Sequence, residues 1–125
     1  MAKNIIFLKH FVNFHYITMY VAALVKSDDK KHKYEARIFT VDKDQLVPLK
    51  SVKFGAVGYN DYTTKTTDEQ KKNYIARHSA NEDWTKSGYF TPGFWSRWIL
   101  WNKKTIRGSI RDVNERFGDL RVILA

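Results

Sequence analysis

The residues of this chain that could do chemistry lie in its second half. His78 and Glu82 stand four positions apart, so on one helix they could share a face and form part of a metal site. Such a site needs three or four ligands, and the chain offers no second histidine or carboxylate pair at a matching spacing. The pair therefore predicts a structural contact, with His78 bonded to a carboxylate or to the backbone.

Two further motifs carry weak catalytic signals. Ser96 follows a Thr91-Pro92 helix start, so it does not occupy the strand-turn-helix elbow of a hydrolase nucleophile. Gly55 and Gly58 could cradle a phosphate, but the motif lacks both a P-loop lysine and the third glycine of a dinucleotide fingerprint. We expect a turn there, no cofactor and no enzymatic activity. An enzyme stays a third alternative, because site geometry is invisible in a sequence.

Charged residues are interleaved with large aromatic residues in this half. Asp61, Arg77 and Arg97 are expected to form buried, mutually satisfying pairs, since buried charges are normally paired. Large rings bury much surface per residue, so the tryptophans are expected to organise the core. They are Trp84, Trp95, Trp98 and Trp101.

The charge balance favours an acidic partner. The net charge is +9, and the chain has no cysteine, which excludes disulfides and thiolate metal sites. One cluster of cations leads the last predicted helix, opposite its apolar stripe, and forms a candidate contact face: Lys103, Lys104, Arg107 and Arg111. This face could bind phosphates, dock on a protein or simply be solvated.

Hydrophobic periodicity predicts strands first and helices second. Strands are predicted over Tyr20–Val25, Lys33–Val41 and Ser51–Phe54, and the second of them shows a period-2 alternation. The short turns between them favour an antiparallel meander. A capping box at Thr67 and Gln70 predicts a helix from Asp68 to about His78. Further starts at Ser79 and at Thr91-Pro92 predict a short helix ending near Trp84 and an aromatic helix. The spacing of Ile106, Ile110, Val113 and Phe117 predicts a last amphipathic helix. The tail Leu120–Leu124 has a β-like composition and could return to the sheet edge. The expected fold is a single α+β domain over residues 19–125, with about three strands followed by three or four packed helices.

Residues 1–18 precede this regular pattern. The segment Phe11–Val25 is too short and too often interrupted to be a membrane span or a signal peptide. We expect residues 1–18 to be an apolar arm that docks on a partner, although they could belong to the fold or be an upstream extension before a start at Met19. Its apolar side chains are Ile5, Ile6, Phe7, Leu8, Phe11 and Phe14.

Three dense blocks closely resemble a family of small proteins encoded by nucleocytoplasmic large DNA viruses, such as those infecting algae and amoebae. The blocks are Phe54-Gly55-Ala56 through Thr63, Tyr74-Ile75 with Arg77-His78, and Gly93-Phe94-Trp95-Ser96-Arg97-Trp98 through Asn102. The resemblance covers most of the chain, from about Met19 to Phe117. It implies a viral origin and supplies no catalytic residues.

The function expected from these observations is a non-enzymatic structural component of a virus particle, a minor capsid protein that docks on other virion proteins. Its expected location is the virion, assembled in the cytoplasm or nucleus of the host. The alternative is a basic nucleic-acid-binding protein of the virus, with the +9 charge supplying phosphate contacts.

Overall fold

The computed structural model describes residues 18–125, which are built around one four-stranded sheet in the order β3-β2-β1-β4. The strands are β1 (Tyr20–Lys26), β2 (His32–Asp42), β3 (Gln45–Ala56) and β4 (Leu120–Leu124). The docking-arm hypothesis falls on residues 1–18, of which 1–17 lie outside the described residues.

The first three strands form an antiparallel meander, and one face of it packs against the helical layer. Ala22 pairs with Ile38, and Ala36 pairs with Val52, so these side chains lie together under the helices. A two-residue turn joins β2 to β3 through Lys43 (φ 48°) and Asp44 (φ 68°). Positive φ at both central residues matches the right-handed twist of the strands that the turn connects.

The last strand departs from the expected simple antiparallel meander. β4 lies parallel to β1, with Tyr20 opposite Leu120 and Leu24 opposite Leu124, so the sheet is mixed. The helices intervene between the meander and β4, and a crossover of this kind brings a returning strand in parallel. The prediction of an α+β fold is confirmed, because helices follow the first three strands. The prediction of a simple antiparallel meander is wrong, because β4 pairs in parallel with β1.

Both edges of the sheet carry a feature that interrupts strand pairing. Pro48 lies on edge strand β3 beside an irregularity in its pairing with β2 at Ile38 and Phe39, as expected for a residue without an N–H. On the opposite edge the Asn114 side chain accepts from Val122 N at 2.7 Å and donates to Val122 O at 3.1 Å. Asn114 thus occupies the place that another strand would take.

The first two helices begin at the residues that their caps predict. α1 (Asp68–His78) has the Thr67–Gln70 capping box, and α2 (Pro92–Trp95) continues directly into a π-helical turn (Ser96–Leu100). α3 (Ile106–Arg116) is capped by Thr105. The short helix expected between Ser79 and Trp84 is absent, and a 3-10 turn follows at Lys86–Gly88. The Glu82 carboxylate bonds the His78 and Trp84 side chains, so it does not close a second capping box.

The core lies between the sheet and the helical layer. Trp95 is fully buried and contacts Phe54 of β3, with ring centroids 6.2 Å apart. Phe94, Trp98 and Phe117 bring α2, the π-turn and the end of α3 together through close ring contacts. Burial of these rings supplies most of the cohesion between helices and sheet.

Candidate functional sites: a basic face and a polar cleft

The basic face lies at the start of α3, and its four side chains are exposed: Lys103, Lys104, Arg107 and Arg111. Within residues 18–125, none of the four has a carboxylate within salt-bridge distance. Ser109 Oγ accepts from Lys103 N at 3.0 Å, which holds the loop against the helix. Arg107 and Arg111 are one turn apart on α3, so the face presents cations at a fixed spacing.

A tyrosine ring extends this face toward α1. Lys104 Nζ lies 3.9 Å from the centroid of the Tyr62 ring, and Lys71 Nζ lies 4.7 Å from it. Each ammonium also donates to a backbone carbonyl, Lys104 to Thr66 at 2.8 Å and Lys71 to Asn102 at 2.6 Å. Burial, followed by the nearby positive charges of Arg97 and Lys103, lowers the pKa of Lys71. The ring and the carbonyls thus hold like charges near one another.

The tryptophans differ in their exposure. Trp95 and Trp98 are buried, whereas Trp84 and Trp101 are half-buried and pack against the core from outside. Trp98 lies near two guanidinium groups, those of Arg97 and Arg116, each 4.4 Å from its ring centroid.

The charged residues of the aromatic blocks do not pair with one another, contrary to expectation. Asp61 is buried and accepts from Lys33 Nζ at 2.7 Å. Arg97 donates to the Trp101 carbonyl at 2.7 Å, and Arg77 is exposed. Asp61, Arg77 and Arg97 lie in three different segments of the chain. Each of them bonds a group other than the two charged residues with which it was expected to pair.

A cleft of about 1020 Å³ separates α1 from the end of β3. Its floor comes from the π-turn and the residue after it, including Ser96, Leu100 and Trp101. The π-turn bond runs from Trp101 N to Ser96 O at 3.0 Å, five residues apart. Turns of this kind occur often at functional sites.

One stripe of α1 forms the polar wall of this cleft. The stripe residues recur at helical spacing: Gln70, Asn73, Tyr74, Arg77 and His78. Tyr74 is the buried residue of α1, and its ring stacks between His78, at 4.3 Å, and Trp101, at 4.4 Å. Burial, followed by the negative charge of Glu82, raises the pKa of the Tyr74 hydroxyl. A polar stripe at spacing 3-1-3-1 is the sequence signal that could have revealed this wall.

Both acidic side chains that line the cleft, Asp61 and Glu82, are already engaged, and the partner of Asp61 is Lys33. Glu82 Oε2 lies 3.1 Å from His78 Nδ1, and Glu82 Oε1 accepts from Trp84 Nε1 at 3.1 Å. A Cβ on Gly93 would lie 2.8 Å from the Glu82 carboxyl carbon, so glycine lets α2 approach the Glu82 side chain. The expected contact of His78 with a carboxylate is thus present, and Ser96 lines the same cleft.

The glycine pair forms a turn beside the cleft. Gly55 (φ 78°) and Gly58 (φ 95°) both have left-handed backbones, which matches the expected turn. A Cβ on Gly55 would lie 2.7 Å from Leu100 Cδ1, so the glycine also permits close packing of β3 on the π-turn.

Residues 18–125 contain neither a metal-binding cluster nor a membrane-spanning helix. No cluster of three or more histidine, cysteine, aspartate or glutamate side chains there has an arrangement that could hold a metal ion. No helix in that range is long and apolar enough to cross a membrane.

Comparison with known proteins yields one similarity. Residues 22–78 match a family of unknown function (DUF5754), a segment that includes β2, β3 and α1 and stops before the aromatic helix. No curated protein and no solved structure matches the chain.

Proposed function

We propose that this protein is a non-enzymatic docking module that binds an acidic surface of another macromolecule through the basic face. The observation that carries the proposal is the exposure of Lys103, Lys104, Arg107 and Arg111 without carboxylate partners in the described part of the chain. Complementary charge steers such a face to its partner and fixes its orientation there.

The resemblance of the aromatic blocks to proteins of large DNA viruses supports a specific role for this module. In that role it is a minor capsid protein of the virus particle, cementing other virion proteins. A rigid aromatic core behind the basic face favours the role, since preorganised surfaces lose little entropy on binding. Mass spectrometry of purified particles tests it directly, and absence from the particles would contradict it.

The alternative partner is nucleic acid bound through its phosphates. Exposed rings for base stacking are scarce among residues 18–125, where Tyr59 is 74% exposed and Trp95 and Phe94 are buried. Stacking on aromatic platforms therefore contributes little to any such binding. The basic face would contact backbone phosphates, with an affinity that falls steeply with salt.

The decisive experiment neutralises the basic face. A variant with K103Q, K104Q, R107Q and R111Q should lose binding to its virion partner, because four cations without carboxylate partners are removed. The matched control, K26Q with K30Q, K31Q and K43Q, loses the same charge from exposed lysines elsewhere and should bind normally. Equal loss in both variants would mean that net charge alone drives binding and would contradict the docking face.

A titration with duplex DNA separates the two partners. If DNA is the partner, the wild type should bind at low salt with a log–log salt slope of roughly −0.9 per phosphate contact. Four phosphate contacts through the basic face would give a slope of about −3.6. The basic-face variant should lose this DNA binding. Absence of DNA binding at low salt leaves the acidic protein surface as the partner.

A further inference from the structure

The cleft between α1 and β3 has properties that the proposed docking role does not use. Its volume of about 1020 Å³ is at the upper end of the range of small-molecule sites. Its floor at the π-turn is largely apolar through Leu100 and Trp101, with Ser96 as the polar residue there, while its α1 wall is polar. An apolar floor with a few convergent polar groups is the usual form of a ligand site.

Several side chains of the cleft have hydrogen-bond donors without a partner among residues 18–125. Arg77 uses only Nε, toward the Asn73 carbonyl at 3.4 Å, so its two terminal nitrogens are free of described partners. The Asn73 amide and the Ser96 hydroxyl likewise have no side-chain partner among residues 18–125. His78 is held through Nδ1, which leaves Nε2 directed elsewhere.

The charges of the cleft select the ligand class. Lys33 is paired with Asp61, and Glu82 is hydrogen-bonded to His78 and Trp84, so Arg77 is the cationic side chain of the cleft without a carboxylate partner among residues 18–125. A planar guanidinium fork matches a carboxylate, bonding both oxygens at once. Arg77 lies in the last turn of α1, beside the negative end of the helix dipole. This end of the dipole disfavours binding of a phosphate dianion more than binding of a carboxylate monoanion.

From this geometry we infer that the cleft binds a carboxylate, held by Arg77 with Asn73 and Ser96 and with its aliphatic part on Leu100 and Trp101. The carboxylate can come from a free organic acid or from an acidic side chain of a peptide. The two sources share one chemistry, and the test distinguishes them.

The test is an NMR titration of the whole chain with glutarate, with a capped tetraglutamate peptide and with inorganic phosphate. Saturable shifts are expected at the Arg77 side chain, at Ser96 and at the Trp101 indole. R77Q should weaken glutarate binding about tenfold or more, as loss of a charged hydrogen-bond pair does. K72Q removes the same charge from an exposed residue of the same helix that does not line the cleft, so it should bind glutarate like the wild type.

Each outcome decides the inference. Peptide binding at least tenfold tighter than glutarate identifies an acidic segment as the source, and comparable binding identifies a free acid. Shifts without saturation, equal weakening in R77Q and K72Q, or phosphate binding as tight as glutarate would overturn it. The basic-face variant should retain cleft binding, so failure here is separable from failure of the docking role.

Discussion

Tyr74 and Trp101 lie face to face, with ring centroids 4.4 Å apart and an interplanar angle of 4°. This contact joins α1 to the residue that ends the π-turn. Because Tyr74 is the buried residue of α1, the stack is the main apolar attachment of that helix to the domain. The position of the polar wall of the cleft therefore depends on it.

We predict that Tyr74→Ala releases α1 while the sheet stays folded. Loss of a large stacked ring typically costs about 3–5 kcal/mol, and here the loss should fall mostly on this helix. Hydrogen exchange should accelerate across residues 68–78 and stay slow in β1 and β2. Tyr74→Phe keeps the stack and should leave exchange unchanged. Uniform acceleration throughout the sheet would mean that α1 unfolds only with the whole domain.

We predict that Trp98→Ala lowers stability by about 3–5 kcal/mol, because the ring is 8% exposed and contacts Phe117. Arg107→Ala should change stability by less than about 0.5 kcal/mol, since Arg107 is exposed. Chemical denaturation monitored by circular dichroism measures both. A larger loss of stability in Arg107→Ala than in Trp98→Ala would show that Trp98 is not a core residue and that Arg107 is not a surface residue.

We predict that Asn114→Ala destabilises the β4 edge. Its amide satisfies both the N–H and the C=O of Val122, so its loss should cost about 1–3 kcal/mol. The unpaired edge should also favour self-association, which sedimentation velocity would detect. Glu115→Ala, on the neighbouring exposed residue, serves as the control and should affect neither property. A monomeric N114A protein of wild-type stability would contradict the capping role.

We predict that Asp112 contributes to loss of stability in acid. Burial raises the pKa of its carboxyl, but hydrogen bonds from Asn102 and Arg116 outweigh burial, so the pKa lies below its usual value. A lowered pKa in the folded state stabilises the fold above the unfolded pKa of about 3.9, and this stability is lost as pH falls through the folded pKa.

The measurement is the unfolding free energy of the wild type and Asp112→Asn at pH 7 and at pH 3. The wild type should lose more stability between these pH values than the variant does. Asp42→Asn, at an exposed position, controls for the change in net charge. Parallel pH curves for the wild type and D112N would rule out this contribution.

Local chemistry in the sequence was enough to predict several elements. The Thr67–Gln70 capping box predicted α1 at Asp68–His78, because a cap acts within one turn of chain. Alternation predicted β2 to within one residue at each end, since the side-chain period of a strand is a local property. The basic face was also visible, because helix periodicity separates Arg107 and Arg111 from the apolar stripe.

Only the tertiary structure decided which distant residues meet. Parallel pairing of β4 with β1 depends on how the intervening helices cross the sheet. Asp61 pairs with Lys33 because the turn after β3 brings the two residues together. The cleft likewise joins α1, β3 and the π-turn, and no short stretch of sequence contains all three. Such contacts are fixed by the joint packing of all elements, which local propensity and spacing do not encode.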